Sequence, residues 1–138
     1  MQFQNSKDKI LIIDFGSQVT KLIARRIREL GVYSEIITPK DLTKLKKFHN
    51  IKGLVMSGGP STVTSSSFES VPKDIFKKKI PILGICYGLQ LIAKIFGGKV
   101  KSSKKKREFG RALLYKKNLS LLTKNFLDDK KSVWMSHE

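Results

Sequence analysis

The fold is decided by the stretch Ile80-Pro-Ile-Leu-Gly-Ile-Cys-Tyr-Gly-Leu-Gln-Leu-Ile-Ala-Lys-Ile-Phe96. This stretch joins an apolar strand to an apolar helix. Ile80–Ile85 predicts a buried strand, in which Pro81 stands near the start, where a missing backbone donor is tolerated. Leu89–Phe96 is apolar on most faces and predicts a buried helix that Gly97-Gly98 ends. Between them, Gly84-Ile-Cys-Tyr-Gly88 has the spacing of a nucleophile elbow.

The thiol of Cys86 is the candidate nucleophile of this elbow. It stands at the start of a helix, whose dipole and free amides favour the thiolate. A thiolate attacks a carboxamide carbon and forms a thioester, and the amide of Tyr87 is placed to bind the developing oxyanion. The alternative interpretation is that Cys86 is a structural thiol in the core, since free cysteines are often buried.

The chain before this stretch predicts a strand-helix-strand unit. Lys9–Asp14 is nearly all apolar and reads as a strand buried on both faces. Phe15-Gly-Ser-Gln18 follows it and either borders the site or is a plain helix start, with Ser17 as the cap. Gly31 ends the helix, and Tyr33–Thr38 is a second strand that Pro39 ends. The helix is predicted to turn these apolar side chains inward: Val19, Leu22, Ile23, Ile27 and Leu30.

A third strand, Gly53–Ser57, runs into Gly58-Gly59-Pro60. Loops at the carboxyl ends of parallel strands build the site in open α/β sheets, so a free amide here is a candidate second oxyanion donor. The alternative is a plain turn. The segment lacks the length and the lysine of a phosphate-binding loop. Ser61–Ser70 then reads as a loop and Val71–Lys79 as a short helix.

The pattern changes after Lys99. Val100, the basic run that follows, Gly110–Tyr115 and Val133–Met135 are typical of short strands joined by polar turns. The sequence therefore predicts an α/β fold with a doubly wound, mostly parallel sheet and an antiparallel appendage towards the C-terminus.

The composition predicts one globular domain with an unusual charge. The 138 residues are 40% hydrophobic, and the net charge is +17, with 23 Lys against 5 Arg. Arg is the preferred reader of phosphates and base edges, and no aromatic residues interleave with Lys77–Lys79 or Lys104–Arg107. We therefore expect a lysine-biased surface rather than nucleic-acid binding. An acidic partner domain or subunit is a further possibility.

No apolar run approaches the roughly 20 residues of a membrane span, and the first residues lack a secretory signal. The one cysteine cannot form an internal disulfide, so we expect a cytoplasmic location without membrane contact.

A general base is harder to find. The chain has only His49 and His137. His49 lies in a Lys-rich connection before the third strand, at the wrong end of the sheet. His137 follows the strand-like Val133–Ser136, one residue from the last position. The residues therefore supply a nucleophile and an oxyanion hole, and no convincing base.

Four segments in the right order carry a family resemblance. Ile13-Asp-Phe-Gly-Ser-Gln18, Met56-Ser-Gly-Gly-Pro60, Gly84-Ile-Cys-Tyr-Gly-Leu-Gln90 and Trp134-Met-Ser-His137 resemble the successive motifs of class I glutamine amidotransferases. Within that class the match is to the amidotransferase domain of GMP synthetases, which Tyr at position 87 also favours. The resemblance covers about Lys9 to His137 and implies a flavodoxin-like fold.

The resemblance implies a glutaminase that uses Cys86, with Gly59 and Tyr87 as the oxyanion-hole amides. The contacts to the substrate glutamine would come from Gly58, Gln90, Ser136 and His137. No cofactor or metal is implied for this portion. ATP and Mg²⁺ are implied for a separate ATP-pyrophosphatase domain or subunit, which aminates XMP to GMP with the released ammonia.

Two departures from the family pattern lower the expected activity. Glu138 stands where the family has Gly, and the family's catalytic His-x-Glu lies further downstream. We expect residues 1–138 to be the N-terminal portion of an amidotransferase domain, incomplete at its C-terminus and without the ATP-pyrophosphatase/XMP domain. Such a chain would be nearly inactive alone. Two alternatives stay open: an amidotransferase for another synthesis, such as carbamoyl phosphate or anthranilate, and a non-catalytic basic module that binds RNA or a partner.

Overall fold

The computed structural model describes residues 8–64, 68–101, 108–118, 120–125 and 129–137. The chain divides into two units, Met1–Lys101 and Ser102–Glu138. The first unit carries the predicted elbow, and the second carries the predicted antiparallel appendage.

Four parallel strands form the sheet of the first unit, in the order β2-β1-β3-β4. In the chain, helical segments separate these strands, so each parallel connection crosses a face of the sheet. This confirms the predicted α/β fold with a mostly parallel sheet. The strands are β1 (Lys9–Ile13), β2 (Tyr33–Ile37), β3 (Ile51–Met56) and β4 (Ile82–Gly84).

Strand β1 is buried on both faces, as its continuous apolar run predicts. Successive side chains of a strand point to opposite faces. Leu11 and Ile13 accordingly belong to one core cluster, which also contains Met56, and Ile12 belongs to a second cluster with Ala24. The sheet therefore separates two apolar layers.

Four helical segments flank the sheet: α1 (Thr20–Glu29), α2 (Pro39–Lys44), a 3₁₀-helix (Lys73–Lys78) and α3 (Tyr87–Ile95). Helix α2 was not predicted, because Pro39 was interpreted only as the end of β2. Thr38 caps the helix by accepting a hydrogen bond from the amide of Asp41 at 3.1 Å. A proline is well tolerated at the first helical position, since its missing N–H has no partner there.

The start of α1 differs from the prediction. Ser17 is not its cap: the Ser17 hydroxyl accepts from the amide of Val19 at 3.3 Å, and the helix begins at Thr20. The Thr20 hydroxyl instead donates to Asp14 at 2.8 Å. The carboxylate at the end of β1 therefore anchors the helix start. Gly31 follows the helix with φ of +79°, as a C-terminal stop requires.

The buried face of α1 also differs. Ile23 and Ile27 pack against the sheet as predicted, but Thr20 and Ala24 are the most deeply buried residues of the helix. Short side chains let the helix approach the sheet closely, which the apolar pattern alone did not show. Three residues that were predicted to face inward are exposed: Val19, Leu22 and Leu30, the last by 83%.

Helix α3 begins two residues before its predicted start, directly after Cys86. Its burial is one-sided. Leu91 is fully buried, whereas Leu89 and Phe96 are 59% and 69% exposed. The predicted burial of this helix therefore holds for one face only, because only the face that carries Gly88 and Leu91 packs on the sheet.

The second unit contains an antiparallel pair, β5 (Glu108–Tyr115) and β6 (Lys130–His137). It confirms the predicted change to antiparallel structure. Val100 lies outside any strand, contrary to prediction, and the basic run Lys104–Arg107 lies outside the described residues. None of the helices in the described part of the chain combines the length and the apolar character that a membrane crossing requires.

Candidate active site

Cys86 lies on a sharp turn between β4 and α3. Its backbone has φ of 49° and ψ of −109°, which is a region that residues with a side chain rarely occupy. The residue is exposed to solvent. A strained backbone that presents a side chain at the carboxyl edge of a parallel sheet is what the elbow spacing predicts. The structure therefore contradicts a structural thiol in the core.

The two glycines around Cys86 are required by close packing. A Cβ atom on Gly88 would lie 2.3 Å from the carbonyl oxygen of Met56, and one on Gly84 would lie 2.6 Å from the amide nitrogen of Leu89. Both distances are far shorter than any real contact. The spacing Gly-x-Cys-x-Gly thus lets the start of α3 press against the ends of β3 and β4.

The ends of three strands converge at Cys86. Gly58 follows β3, and a Cβ atom placed on it would lie 3.5 Å from Cβ of Cys86 and 3.7 Å from the hydroxyl of Ser17. Ser17 belongs to the segment after β1. The structure therefore brings the Gly-Gly-Pro segment beside the cysteine, as expected, and of the two interpretations of Phe15–Gln18 it supports the one that borders the site.

Gly59 packs tightly on the segment after β1. A Cβ atom on Gly59 would lie 2.3 Å from the carbonyl oxygen of Phe15, so no other residue fits without a shift of the backbone. This contact holds the segment after β3 against the segment after β1. A plain surface turn would not need it.

Ser57 connects these segments, and sequence reasoning assigned it no role. Its hydroxyl accepts from the amide of Phe15 at 3.1 Å and donates to the carbonyl oxygen of Gly58 at 2.9 Å. Its backbone amide bonds to Ile13, and its carbonyl accepts from the amide of Gly88. The available signal was a serine at the end of an apolar strand, directly before two glycines.

Of the amides at the start of α3, those of Gly88 and Gln90 donate to backbone carbonyl oxygens, and that of Tyr87 has no acceptor within the helix. Gly88 donates to Ser57 at 3.1 Å, and Gln90 donates to the carbonyl oxygen of Cys86 at 3.1 Å. Tyr87 is the first helical residue, and its amide has no acceptor within the helix. It directly follows Cys86. An amide in this position can donate to an oxyanion that forms on a carbon bonded to the sulfur.

Comparison with known proteins agrees with this geometry. The sequence profile described as glutamine amidotransferase class-I matches residues 11–138, which is nearly the whole chain. The chain belongs to the class I glutamine amidotransferase family. The matched range includes the elbow, the Gly-Gly-Pro segment and strand β6.

Curated relatives of this amidotransferase chain are named GMP synthase [glutamine-hydrolyzing]. The protein of Ligilactobacillus salivarius is 47% identical over 131 residues, which cover 94% of this chain and 25% of the relative. That of Chlorobium phaeovibrioides is 50% identical over 132 residues, which cover 93% and 25%. The amidotransferase chain thus spans about a quarter of the length of these relatives.

Solved structures show the same fold. A crystal structure described as that of a GMP synthase subunit from Thermoplasma acidophilum superposes with a TM-score of 0.72 at 30% identity, covering 95% of this chain and 65% of that one. A glutamine amido transferase from Methylobacillus flagellatus gives a TM-score of 0.64 at 19% identity, covering 95% and 55%, and supports the fold alone.

Gln90 lies one turn into α3 of the amidotransferase. Its side-chain oxygen is buried and has no hydrogen-bond partner within the part of the chain that the structure describes. A buried amide oxygen without a partner is uncommon, because it loses its bonds to water. The predicted contact of Gln90 with a bound amino acid, which can donate through its ammonium group, stays a prediction.

The side chain of Tyr87 packs beneath the start of α3 and contacts two neighbouring segments, at Phe15 and at Glu69. The ring is buried and packs on Phe15 with 4.9 Å between the ring centroids, and the hydroxyl donates to the carbonyl oxygen of Glu69. Burial raises the pKa of Tyr87 above its ordinary value. The tyrosine side chain thus links the loop after Pro60 to the start of α3.

The histidines divide between the two units. His49 precedes β3 and therefore lies at the amino edge of the sheet, whereas Cys86 follows β4 at the carboxyl edge. His49 is thus excluded as the base for this sulfur. Ser136 and His137 lie on β6, opposite Phe109 and Glu108 of β5. Their predicted contacts with glutamine stay predictions.

Proposed function

We propose that this chain is the glutamine-hydrolysing part of a GMP synthetase, with Cys86 as its nucleophile. The observation that carries the proposal is the exposed cysteine, on a strained turn beside Gly58 at the carboxyl edge of a parallel sheet. The names of the curated relatives support the choice of GMP synthetase within the amidotransferase family.

In the proposed reaction the thiolate sulfur of Cys86 bonds to the side-chain carbonyl carbon of glutamine. The carbonyl π electrons move onto the oxygen, which accepts hydrogen bonds from the amides of Gly59 and Tyr87. The carbon–nitrogen bond then breaks, and the nitrogen leaves as ammonia after it takes a proton. Water attacks the resulting thioester, which releases glutamate and the free thiol.

Four residues are proposed to hold the substrate. Gln90 offers a buried amide oxygen for the ammonium group of glutamine. The backbone of Gly58 lies next to Cys86 and has no side chain that would block the substrate. Ser136 and His137 are assigned to the same contacts on the family resemblance alone.

The general base is proposed to come from outside these 138 residues. His49 lies at the wrong edge of the sheet, and His137 matches a substrate contact of the family instead of its base. Without the base, Cys86 loses most of its nucleophilic assistance, and the oxyanion hole leaves only a residual rate. We propose that an ATP-pyrophosphatase domain or subunit, which uses ATP, Mg²⁺ and XMP, receives the ammonia.

Ammonia release tests this proposal. The 138-residue chain and Cys86→Ala are incubated with glutamine, each alone and with the ATP-pyrophosphatase part of a GMP synthetase. We expect slow release that depends on Cys86. A normal enzymatic rate from the isolated chain would contradict the proposed external base, and equal rates for the chain and Cys86→Ala would contradict the nucleophile.

A second readout of the same mixtures separates the kinds of amidotransferase. Formation of GMP from XMP, ATP and glutamine would support the assignment to GMP synthetase. Glutamine hydrolysis without any amination of XMP would instead support an amidotransferase of another synthesis, such as that of carbamoyl phosphate or anthranilate.

A further inference from the structure

We propose that Ser57 is a positioning residue, whose hydroxyl holds the Gly58–Gly59 peptide so that the Gly59 amide faces the oxyanion. This inference rests on the proposed glutaminase function and extends it to a residue that makes no contact with the substrate. Ser57 is fully buried, with 0% of its surface exposed. Its hydroxyl therefore acts only on neighbouring groups of the protein.

The position of the hydroxyl proton follows from its two partners. The amide of Phe15 donates to the Ser57 oxygen at 3.1 Å, so this oxygen acts as the acceptor there. The proton of the hydroxyl is then directed to the carbonyl oxygen of Gly58, 2.9 Å away. The bond is between buried groups, where a lost hydrogen bond is costly, so the Gly58 carbonyl is held towards the interior.

The held carbonyl also orients the next amide. A peptide unit is planar and trans, so the N–H of Gly59 points opposite to the C=O of Gly58. Because this carbonyl points towards the buried hydroxyl, the Gly59 amide points away from the interior. Cys86 is exposed and lies next to this peptide, since its Cβ atom is 3.5 Å from the point where Gly58 would carry a Cβ atom.

A peptide between two glycines needs such a restraint. Glycine accepts positive and negative φ with similar ease, so a peptide between two glycines can rotate to turn its N–H inward. Phe15 packs closely on Gly59, and the Ser57 hydroxyl donates to the carbonyl oxygen of the peptide itself.

Ser57 also contacts the second predicted donor segment. Its backbone amide donates to Ile13 at 3.0 Å, and its carbonyl oxygen accepts from Gly88 at 3.1 Å. Gly88 directly follows Tyr87, whose amide is the other predicted oxyanion donor. One residue therefore sets the position of both donors relative to the end of β1, which is the arrangement that preorganised electrostatic stabilisation requires.

The test uses L-glutamate γ-semialdehyde, which forms a reversible tetrahedral adduct with a cysteine thiolate. Its dissociation constant is measured for the 138-residue chain, Ser57→Ala and Ser57→Thr. Loss of one oxyanion donor reduces rates by about 10²–10³-fold, so a loosened donor should weaken the adduct by about 10- to 100-fold in Ser57→Ala. Ser57→Thr keeps the hydroxyl and should retain most of the affinity. Alkylation by iodoacetamide, which develops no oxyanion, should proceed at similar rates in all three.

A measurement on the unmodified chain covers the case in which Ser57→Ala does not fold. The NMR signal of the Gly59 amide proton should move downfield when the adduct forms. If the unmodified chain forms no adduct although iodoacetamide alkylates Cys86, the proposed function fails. If the adduct forms but the Gly59 proton does not move, or Ser57→Ala folds and binds the aldehyde equally well, the function stands and the role of Ser57 is refuted.

Discussion

Cys86 combines an exposed thiol with an unfavourable backbone conformation. Its φ of 49° with ψ of −109° lies in a region that costs about 1–3 kcal/mol for a residue with a Cβ atom. The surrounding contacts hold this conformation: Gly84 and Gly88 allow the close packing, and the amide of Gly88 bonds to Ser57. The strain is therefore a property of the site that stability measurements can detect.

Replacement of Cys86 should separate stability from activity. Cys86→Gly removes the Cβ atom at a positive φ, so we expect it to be more stable than Cys86→Ala by about 1 kcal/mol. Both variants should be inactive on glutamine. Urea unfolding of the two variants measures the difference. Equal stability would mean that the backbone at position 86 is not strained in solution.

Two glycines of the site should respond differently to the same substitution. Gly88→Ala places a methyl group 2.3 Å from the Met56 carbonyl oxygen and should destabilise the chain by about 1–3 kcal/mol or more. Gly58→Ala meets only ordinary contacts at 3.5 Å or beyond, so it should fold normally. The added methyl group lies beside Cys86, however, and should weaken the reversible adduct of the sulfur with L-glutamate γ-semialdehyde.

Urea unfolding and the dissociation constant of the semialdehyde adduct are measured for both variants. Normal stability of Gly88→Ala would contradict the close packing of α3 on β3. An unchanged dissociation constant of the adduct in Gly58→Ala would show that glutamine does not approach Cys86 past Gly58.

Tyr87 should make stability depend on pH in the alkaline range. Burial raises its pKa in the folded chain, so the folded chain keeps the phenol proton to a higher pH than the unfolded chain, where the pKa is about 10. The contribution of Tyr87 is thus complete below pH 10 and is lost as the pH rises above that value. The urea midpoint is measured at about pH 8 and about pH 10.5. Between these two values it should fall more for the unmodified chain than for Tyr87→Phe. An equal fall would contradict the assignment.

At the scale of elements, α1 shows how a short side chain decides which face of a helix is buried. Ala24 is buried against Ile12, whereas Leu22 is half exposed. Leucine is more hydrophobic than alanine, so the apolar pattern predicted that Leu22 belongs to the buried face. Close approach of the helix to the sheet requires small residues at the contact, and the hydrogen bond between Thr20 and Asp14 sets the rotation of the helix.

The packing of α1 predicts opposite effects for two substitutions. Ala24→Leu inserts three heavy atoms into a filled contact and should cost about 1–3 kcal/mol. Leu22→Gln changes a half-exposed position on the same helix and should stay within about 0.5 kcal/mol of the unmodified chain. Urea unfolding measures both, and a larger effect at Leu22 than at Ala24 would restore the face that the sequence pattern predicts.

At the scale of the whole molecule, the net charge of +17 opposes folding through repulsion between like charges. The ion pairs of the described residues are mostly exposed, as between Lys77 and Asp74, and exposed pairs contribute little. Salt screens repulsion over distances of about 10 Å at 0.1 M. We therefore expect the charge to affect the free energy of unfolding, and expect no comparable effect on nucleic-acid binding.

We expect the urea midpoint of the chain to rise when KCl is raised from about 0.02 M to 0.3 M, since the Debye length falls in this range. The double variant Lys46→Glu and Lys47→Glu, at two exposed positions, should gain less from salt. A midpoint that falls with salt would contradict net self-repulsion. A filter-binding titration with RNA tests the alternative that the chain is a basic RNA-binding module. Only an RNA affinity that falls steeply with salt concentration would support this alternative.

The sequence determined the sheet and the sharp turn that carries Cys86. The apolar runs of β1 and β3 have no stable place except a sheet covered on both faces, and Gly84-Ile-Cys-Tyr-Gly88 permits a turn that few other sequences accept. These are local constraints, and the chain satisfies them with neighbouring residues. The cytoplasmic location and the substrate contacts of β6 rest on the sequence too, and stay predictions.

The sequence predicted that the Gly-Gly-Pro segment borders Cys86, and only the tertiary structure decided how closely these residues meet and that Ser57 joins them. Ser17, Ser57 and Gly58 are separated from Cys86 by 28 or more positions, and their contacts depend on how tightly three strand ends and one helix start approach each other. That approach is set by the room that Gly59 and Gly88 leave and by the two hydrogen bonds of one buried hydroxyl. Distances of this kind follow from packing in three dimensions, which periodicity and spacing along a chain do not contain.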